Sequence, residues 1–234
     1  MGLLLAVGLM VILVACSPGV PRGDVPGAGR SEAGRRYLAL GDSYTFGEGL
    51  QADSRWPVLL TSAMEEAGCG EFELTLVART GWTAGELLSE MLRQQMHGPF
   101  DLISLQVGVN DQYRGRAVEE FHQDLIRLLD EVGRLAGGKS ERVLVISIPD
   151  WSASPFGVAT AGEGTAAEID AFNAELSRAA GEYGFQFVDV TDLTRAGSLG
   201  SDSFTPDGLH YSRAMNERWL QRVLPGACAV GRGG

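Results

Sequence analysis

The sequence predicts an α/β protein built on one parallel β-sheet, because strand-like and helix-like segments alternate along most of the chain. Short apolar runs recur, and each is followed by a longer segment in which apolar residues keep a helical period. This alternation indicates βαβ units, since parallel strands need a crossover connection. The chain of 234 residues is long enough for a full hydrophobic core, and neither an internal repeat nor a second globular domain is visible.

Five short apolar segments are predicted to be the strands of this sheet. The first, residues 37–40, runs directly into Gly41, and the fourth, residues 143–146, is continuously apolar, as burial on both faces requires. The other three are residues 72–78, 101–107 and 185–190.

Helices are predicted between and after these strands, at residues 56–67, 83–96, 118–135, 165–183 and 215–224. Pro57 is acceptable in the first turn, where the backbone N–H has no partner within the helix. Thr165 and Glu168 have the spacing of a capping box, in which each side chain binds the other residue's N–H. Ile169 and Phe172 then begin one apolar helix face.

Residues 1–15 are uncharged and apolar, shorter than the ~20 residues of a membrane-spanning helix but suited to a signal peptide. They end at Leu13-Val14-Ala15-Cys16, which resembles the lipobox of bacterial lipoproteins, where the cysteine is acylated and becomes the N-terminus. No Lys or Arg precedes the run, which departs from that pattern. We expect a lipid-anchored protein on the extracytoplasmic side of the bacterial cell envelope. A cleaved secretory signal or a membrane stub is the alternative.

Residues 16–35 are rich in Gly and Pro and have no apolar period, so we expect Cys16 to be followed by a flexible tether. The folded domain is then expected at residues 36–234. The net charge of -11 argues against nucleic acid as a partner and against electrostatic attraction to anionic lipid. Attachment to the membrane would therefore depend on the lipid at Cys16.

Four motifs with reactive side chains fall at the ends of predicted strands or just before the last helix. Ligands bind beyond the carboxyl ends of strands in parallel sheets, so these motifs are expected to lie at one edge. Taken singly, each is an ordinary turn sequence. They are residues 41–45, 79–83, 108–111 and 207–210.

Together the motifs supply the parts that acyl transfer needs. Ser43 is the candidate nucleophile, and His210 is the base that would take its proton. Asp207, three residues before His210, would fix the imidazole tautomer. The backbone N–H groups of Ser43 and Gly81 and the side-chain amide of Asn110 would form the oxyanion hole. The motifs therefore predict a Ser-His-Asp triad and an acyl-enzyme.

This set of motifs resembles the SGNH, or GDSL, hydrolase family, whose four named residues match Ser43, Gly81, Asn110 and His210 here. The resemblance covers residues 36–224. It implies a three-layer α/β/α sandwich with a flavodoxin-like five-stranded parallel sheet, and ester hydrolysis without a cofactor. The G-x-S-x-G string of the rival α/β-hydrolase fold is absent from the sequence.

Two positions depart from the family pattern, Tyr44 in place of Leu and Tyr211 in place of the Pro that often follows the histidine. Neither residue is expected to take part in the reaction, so these differences bear on the expected acyl-chain pocket and not on the mechanism. Six aromatic residues fall in loops at this end, where some are expected to line the pocket and others to anchor loops: Trp82, Tyr113, Trp151, Phe156, Phe204 and Tyr211.

Asp42 and Asp111 flank the candidate residues, and we expect them to accept hydrogen bonds from the backbone. No metal site is predicted, because the three histidines are far apart in the sequence and lack Cys or Glu at ligand spacing. Cys69 follows the first predicted helix and Cys228 the last. In a flavodoxin-like topology these helix ends reach the same edge, which permits a disulfide if the Cα atoms lie within ~7 Å. Two free thiols are the alternative.

The expected function is that of a carboxylesterase or lysophospholipase-like acyl hydrolase acting on a small-molecule ester or an acyl lipid. Because some members of the family deacetylate glycans, a carbohydrate or cell-wall O-acetylesterase is the second hypothesis. A non-catalytic lipoprotein that binds a lipid or glycan is the third. We expect a monomer.

Overall fold

The computed structural model describes residues 34–195 and 199–232. Its sheet has five parallel strands in the order β2-β1-β3-β4-β5, which is the flavodoxin-like order. The fold predicted from the sequence is therefore confirmed. The strands are β1 Arg35–Gly41, β2 Phe72–Ala78, β3 Leu102–Gln106, β4 Val143–Ile146 and β5 Gln186–Val188.

Helices cover both faces of this sheet. The long helices fall into two packed groups, one of α2 with α9 and one of α3, α5 and α7. The connection through α2 runs across the sheet in the opposite direction from the later ones, so right-handed crossovers place it on the other face. Within the described residues the helices are α1 Ser43–Phe46, α2 Trp56–Glu66, α3 Ala84–Arg93, α4 Val109–Tyr113, α5 Val118–Leu135, α6 Pro155–Thr160, α7 Thr165–Glu182, α8 Thr191–Arg195 and α9 Arg213–Arg232.

Burial follows the position of each strand in the sheet. Strands β3 and β4 are buried at every residue because they are central and covered on both faces. Strand β2 forms an edge, and its residues are mostly half-buried or exposed. Helix α5 buries one face against the sheet through six apolar side chains: Phe121, Leu125, Leu128, Leu129, Val132 and Leu135.

The start of helix α7 corrects one sequence-based prediction. Gly164 is the N-cap, Thr165 is the first helical residue, and no side-chain capping bond is present there. The carboxylate of Glu168 instead accepts a hydrogen bond from the Gln112 side chain at 2.7 Å. The capping box predicted at Thr165 and Glu168 is therefore wrong, because a distant partner engages the glutamate.

Cys69 and Cys228 form a disulfide, with their Cα atoms 5.0 Å apart. Cys69 follows α2 as predicted, but Cys228 lies within α9 rather than after it. The guanidinium of Arg35, at the start of β1, donates hydrogen bonds to the carbonyls of Cys69 and Gly231. The disulfide and Arg35 thus join α2, β1 and α9 at the amino ends of the strands.

Residues 1–33 lie outside the described part of the chain, so the predicted signal peptide, the lipidation at Cys16 and most of the tether fall there. Within residues 34–195 and 199–232, no helix has the length and apolar character needed to cross a membrane.

Candidate active site

A cavity of about 180 Å³ lies at the carboxyl edge of the sheet, where the four motifs meet. It brings together Ser43, Gly81, Asn110 and His210, and Asp207 contacts His210 directly. All five predicted site residues are therefore neighbours in the fold. The other residues that line the cavity are Tyr44, Thr80, Val109, Tyr113, Trp151, Phe156 and Leu209.

Ser43 is placed by the tight connection between β1 and α1. Gly41 ends the strand, and a Cβ atom there would lie 2.2 Å from the Thr45 hydroxyl oxygen, so no side chain fits. Asp42 is the N-cap of α1, and its carboxylate accepts a hydrogen bond from the Tyr44 N–H at 3.0 Å. Ser43 is consequently the first helical residue, and N–H groups in a helical first turn have no partner within the helix.

The carboxyl group of Asp42 is fully buried directly before Ser43. Burial raises its pKa to about 7, the Tyr44 N–H opposes this, and the nearby charge of Asp111 adds to it. Its Oδ2 atom has no hydrogen-bond partner among the residues that the structure describes. Asp42 thus shapes the turn, as predicted, and carries a carboxyl group that gains a proton near neutral pH.

Asp207 holds His210 at two points. Its Oδ2 lies 2.6 Å from Nδ1 of the ring, and its Oδ1 accepts hydrogen bonds from the Thr205 hydroxyl and from the N–H groups of Leu209 and His210. Partial burial acts to raise the pKa of Asp207, but these hydrogen bonds outweigh it and hold the pKa well below its usual range. The carboxylate stays ionised and engages Nδ1, which leaves Nε2 as the ring nitrogen for proton transfer.

Gly81, in the loop that follows β2, and Asn110, in helix α4, face the same cavity. Gly81 has a φ of +87°, a left-handed conformation that favours glycine, and its carbonyl accepts a hydrogen bond from Arg114. The Asn110 Nδ2 atom donates to the Trp82 carbonyl at 3.0 Å. An amide nitrogen carries two hydrogens, so this bond orients the Asn110 amide and leaves its second N–H for a ligand.

Some side chains of helix α4 line the cavity, and the others are buried in the protein interior. The three that line the cavity are Val109, Asn110 and Tyr113. Asp111 is buried, accepts the Ala84 N–H at 3.0 Å as predicted, and forms an ion pair with Arg116 at 2.6 Å. Gln112 is also buried and binds side chains from two other segments.

An aromatic cluster forms one wall of the cavity. Tyr113 meets Trp151 edge to face with ring centroids 5.3 Å apart, and Phe156 lies 6.2 Å from Trp151. The Trp151 indole N–H donates to the Gln112 amide oxygen at 2.8 Å. The remaining predicted loop aromatics do not line this cavity: Trp82, Phe204 and Tyr211.

Sequence reasoning missed Gln112, Glu168 and Leu209. Leu209 lies within the predicted motif at residues 207–210, so its position next to His210 could have been recognised. No local signal predicts the pairing of Gln112 with Glu168, since it joins α4 to α7 across 56 residues.

The arrangement suits the hydrolysis of esters. A hydroxyl, an imidazole held by a carboxylate, and the side-chain amide of Asn110 meet at one small cavity. No three His, Cys, Asp or Glu side chains are close enough to hold a metal ion within residues 34–195 and 199–232.

Comparison with known proteins agrees with this geometry. The family model described as the GDSL-like Lipase/Acylhydrolase family matches residues 39–218. A search among curated proteins finds no significant match.

Several solved structures share the fold. The crystal structure of TesA is 22% identical, with a TM-score of 0.66, over 84% of this chain and 99% of that one. A lipase/acylhydrolase from Enterococcus faecalis is 20% identical, with a TM-score of 0.62, over 84% and 93%. A variant of Axe2, an acetyl xylan esterase from Geobacillus stearothermophilus, is 16% identical, with a TM-score of 0.65, over 83% and 94%. The family match spans most of the chain and contains all the motifs described above, so this protein belongs to the GDSL-like lipase/acylhydrolase family and is a carboxylic ester hydrolase.

Proposed function

We propose that the chain hydrolyses carboxylic esters through an acyl-enzyme formed on Ser43. The observation that carries this proposal is the cavity shared by Ser43 and His210, with the ring of His210 held by Asp207. Ser43 Oγ attacks the ester carbon while Nε2 of His210 takes the hydroxyl proton and then gives it to the departing alcohol. Water next attacks the acyl-enzyme, loses a proton to His210, and releases the acid and the Ser43 hydroxyl.

The negative oxygen of each tetrahedral intermediate would be held by three N–H donors: those of the Ser43 backbone, the Gly81 backbone and the Asn110 side chain. All three residues line the cavity. The bond from Asn110 to the Trp82 carbonyl supports this role because it orients the amide before the substrate arrives.

We propose that the substrate is an ester of a small apolar acyl group, which is the kind of substrate that a carboxylesterase hydrolyses. The cavity of about 180 Å³ is small and has aromatic residues on one wall. The same small volume favours an acetyl ester of a glycan as the second candidate, and one structure of similar fold is an acetyl xylan esterase. Lysophospholipase-like activity on acyl lipids is the third.

The test is labelling of the folded protein by a fluorophosphonate, which reacts with an activated serine, together with hydrolysis of p-nitrophenyl acetate. We expect wild type to be labelled and active, and Ser43→Ala to lose both properties while keeping its circular dichroism spectrum. Ser89→Ala is the matched control, because Ser89 is exposed on α3 outside the cavity. Wild type that resists the probe would contradict the proposal and favour a binding lipoprotein.

We also propose that Cys16 is acylated after removal of residues 1–15, so that the domain is anchored by lipid at the bacterial cell envelope. The uncharged apolar run ending at Ala15-Cys16 supports this. Metabolic labelling with a palmitate analogue in a bacterial host tests it. Label on wild type and none on Cys16→Ser is expected, whereas equal labelling would contradict lipidation at this cysteine.

A further inference from the structure

We propose that Trp151 sets the maximum length of the acyl group that this enzyme accepts, and that Gln112 and Glu168 are positioning residues that hold its indole in place. This inference rests on the proposed function, because it assigns the cavity beside Ser43 to the acyl part of the ester.

The size of the cavity limits the acyl group. The cavity of about 180 Å³ is only a few times the share of liquid volume taken by one water molecule, about 30 Å³, so it has room for a small group. Pockets for drug-sized ligands are larger, at about 300–1,000 Å³. We therefore expect the cavity to accept short acyl groups, with an upper limit near hexanoyl.

Trp151 is the more deeply buried of two aromatic residues that meet at the cavity wall. Tyr113 and Trp151 contact each other, but Tyr113 is 57% exposed whereas Trp151 is only 6% exposed. The aromatic wall thus runs from the solvent-facing rim at Tyr113 to the interior at Trp151. An acyl chain that enters past Tyr113 would end against the indole.

The indole is held by a chain of two hydrogen bonds that runs through the side-chain amide of Gln112. Trp151 Nε1 donates to the Gln112 oxygen at 2.8 Å, and the Gln112 nitrogen donates to the Glu168 carboxylate at 2.7 Å. An indole N–H can only donate and a carboxylate can only accept, so the residue between them must accept at one end and donate at the other. Gln112 meets this requirement, and its side chain is buried.

The backbone at Trp151 is held as well. Asp150 is buried, forms an ion pair with Arg195 at 2.6 Å, and accepts the N–H of Ser152 at 3.0 Å. Because both the indole and the neighbouring backbone are held, we expect the Trp151 ring to stay in place. Longer acyl chains are therefore excluded by a fixed wall.

The test is a series of p-nitrophenyl esters from acetyl to dodecanoyl, hydrolysed by wild type, Trp151→Phe, Trp151→Ala, Gln112→Met and Glu168→Gln. One methylene in an apolar pocket changes kcat/KM by about 10- to 200-fold, so wild type should lose at least tenfold beyond hexanoyl. Trp151→Ala should raise the octanoyl-to-acetyl ratio at least about tenfold, and Trp151→Phe should raise it less.

The test of the positioning residues Gln112 and Glu168 needs a measurement that general destabilisation of the fold would not change. Gln112→Met removes both hydrogen bonds at similar volume, so it should shift the length preference towards longer chains, mainly through KM. Glu168→Gln preserves an acceptor oxygen for Gln112 and should therefore keep the wild-type length preference. Val158→Ala is the matched control, because Val158 is an apolar residue of α6 that is 79% exposed outside the cavity.

A second series with acetyl held constant and the alcohol varied separates the two sides of the ester. A Trp151→Ala effect on the alcohol series alone would overturn the inference by placing Trp151 at the leaving group. An unchanged acyl preference in both Trp151 variants, or fast wild-type hydrolysis of dodecanoyl esters, would also overturn it. In each of these cases activity on the acetyl ester persists, whereas failure of the proposed function would abolish fluorophosphonate labelling of wild type.

Discussion

The Asp207 carboxylate binds both the side chain and the main chain of His210. Its Oδ2 lies 2.6 Å from the ring Nδ1, and its Oδ1 lies 3.0 Å from the backbone N of the same residue. A spacing of three residues in one short turn makes both contacts possible. The Asp207 side chain therefore orients both the ring and the backbone of the proposed base.

Replacing Asp207 by Asn tests this role. The amide keeps an acceptor oxygen for the backbone, but it lacks the charge that stabilises the imidazolium and holds Nδ1–H. We expect kcat on p-nitrophenyl acetate to fall by about 10⁴-fold, as when the corresponding carboxylate of a serine protease is replaced. Asp202→Asn, at an exposed aspartate near the same turn, should retain wild-type kcat. A kcat above a tenth of wild type in Asp207→Asn would contradict the proposed role.

Asn110→Ala should lower kcat by about 10²–10³-fold with a smaller change in KM, because an oxyanion donor acts mainly in the transition state. Asn110→Asp has almost the same shape but places a carboxylate where negative charge develops, so we expect a larger loss. Steady-state kinetics of both variants on one ester gives the comparison. An aspartate variant more active than the alanine variant would argue against oxyanion stabilisation.

Asp42 should make the free energy of unfolding depend on pH, and Asp42→Asn should remove this dependence. An unfolded Asp loses its proton near pH 3.9, whereas the folded-state pKa of Asp42 is raised to about 7. Its contribution to the free energy of unfolding is therefore full below about pH 4 and declines until about pH 7. Urea denaturation of both proteins from pH 4.5 to 8 should show the variant gaining up to a few kcal/mol relative to wild type as pH rises. Parallel pH profiles would show that the carboxyl group titrates normally.

Gly41→Ala should disrupt the turn before Ser43. The new Cβ would lie 2.2 Å from the Thr45 hydroxyl oxygen and 2.5 Å from the Gln106 carbonyl oxygen, and the latter belongs to the backbone of β3. We expect a loss of about 1–3 kcal/mol in the free energy of unfolding, together with reduced activity. Gly181→Ala, at an open position in α7, should instead gain about 0.5–1 kcal/mol. Equal effects of the two changes in urea denaturation would contradict this account.

The disulfide should stabilise the domain without affecting catalysis. It joins residues 159 positions apart, at the amino ends of the strands and away from Ser43. Changing both Cys69 and Cys228 to Ala should cost about 2–4 kcal/mol in the free energy of unfolding. At 25 °C, where the double variant remains folded, kcat should equal that of wild type. A fall in kcat under these conditions would show that the two edges of the sheet are coupled.

The strands and the site motifs could be predicted because their signals are local. Residues 72–78 and 143–146 match strands β2 and β4, since short apolar runs between turns have few alternative structures. The motifs converge because parallel strands end at one edge. The contact between Gln112 and Glu168 could not be predicted, as it depends on how α4 and α7 pack. The same contact explains why the local capping pattern at Glu168 was misleading.

The number of residues in helix α4 is constrained by the roles of its side chains. Three of its five residues face the cavity, while the other two are bound to the interior. Each residue of an α-helix turns about 100° from the one before it, so inserting one residue ahead of Asn110 would turn Asn110 towards the interior and Gln112 towards the cavity. The amide of Asn110 and the anchoring side chain of Gln112 would then both be misplaced. We therefore expect the substrate range of this cavity to evolve through replacement of side chains on α4. Insertions and deletions within α4 should be removed by selection.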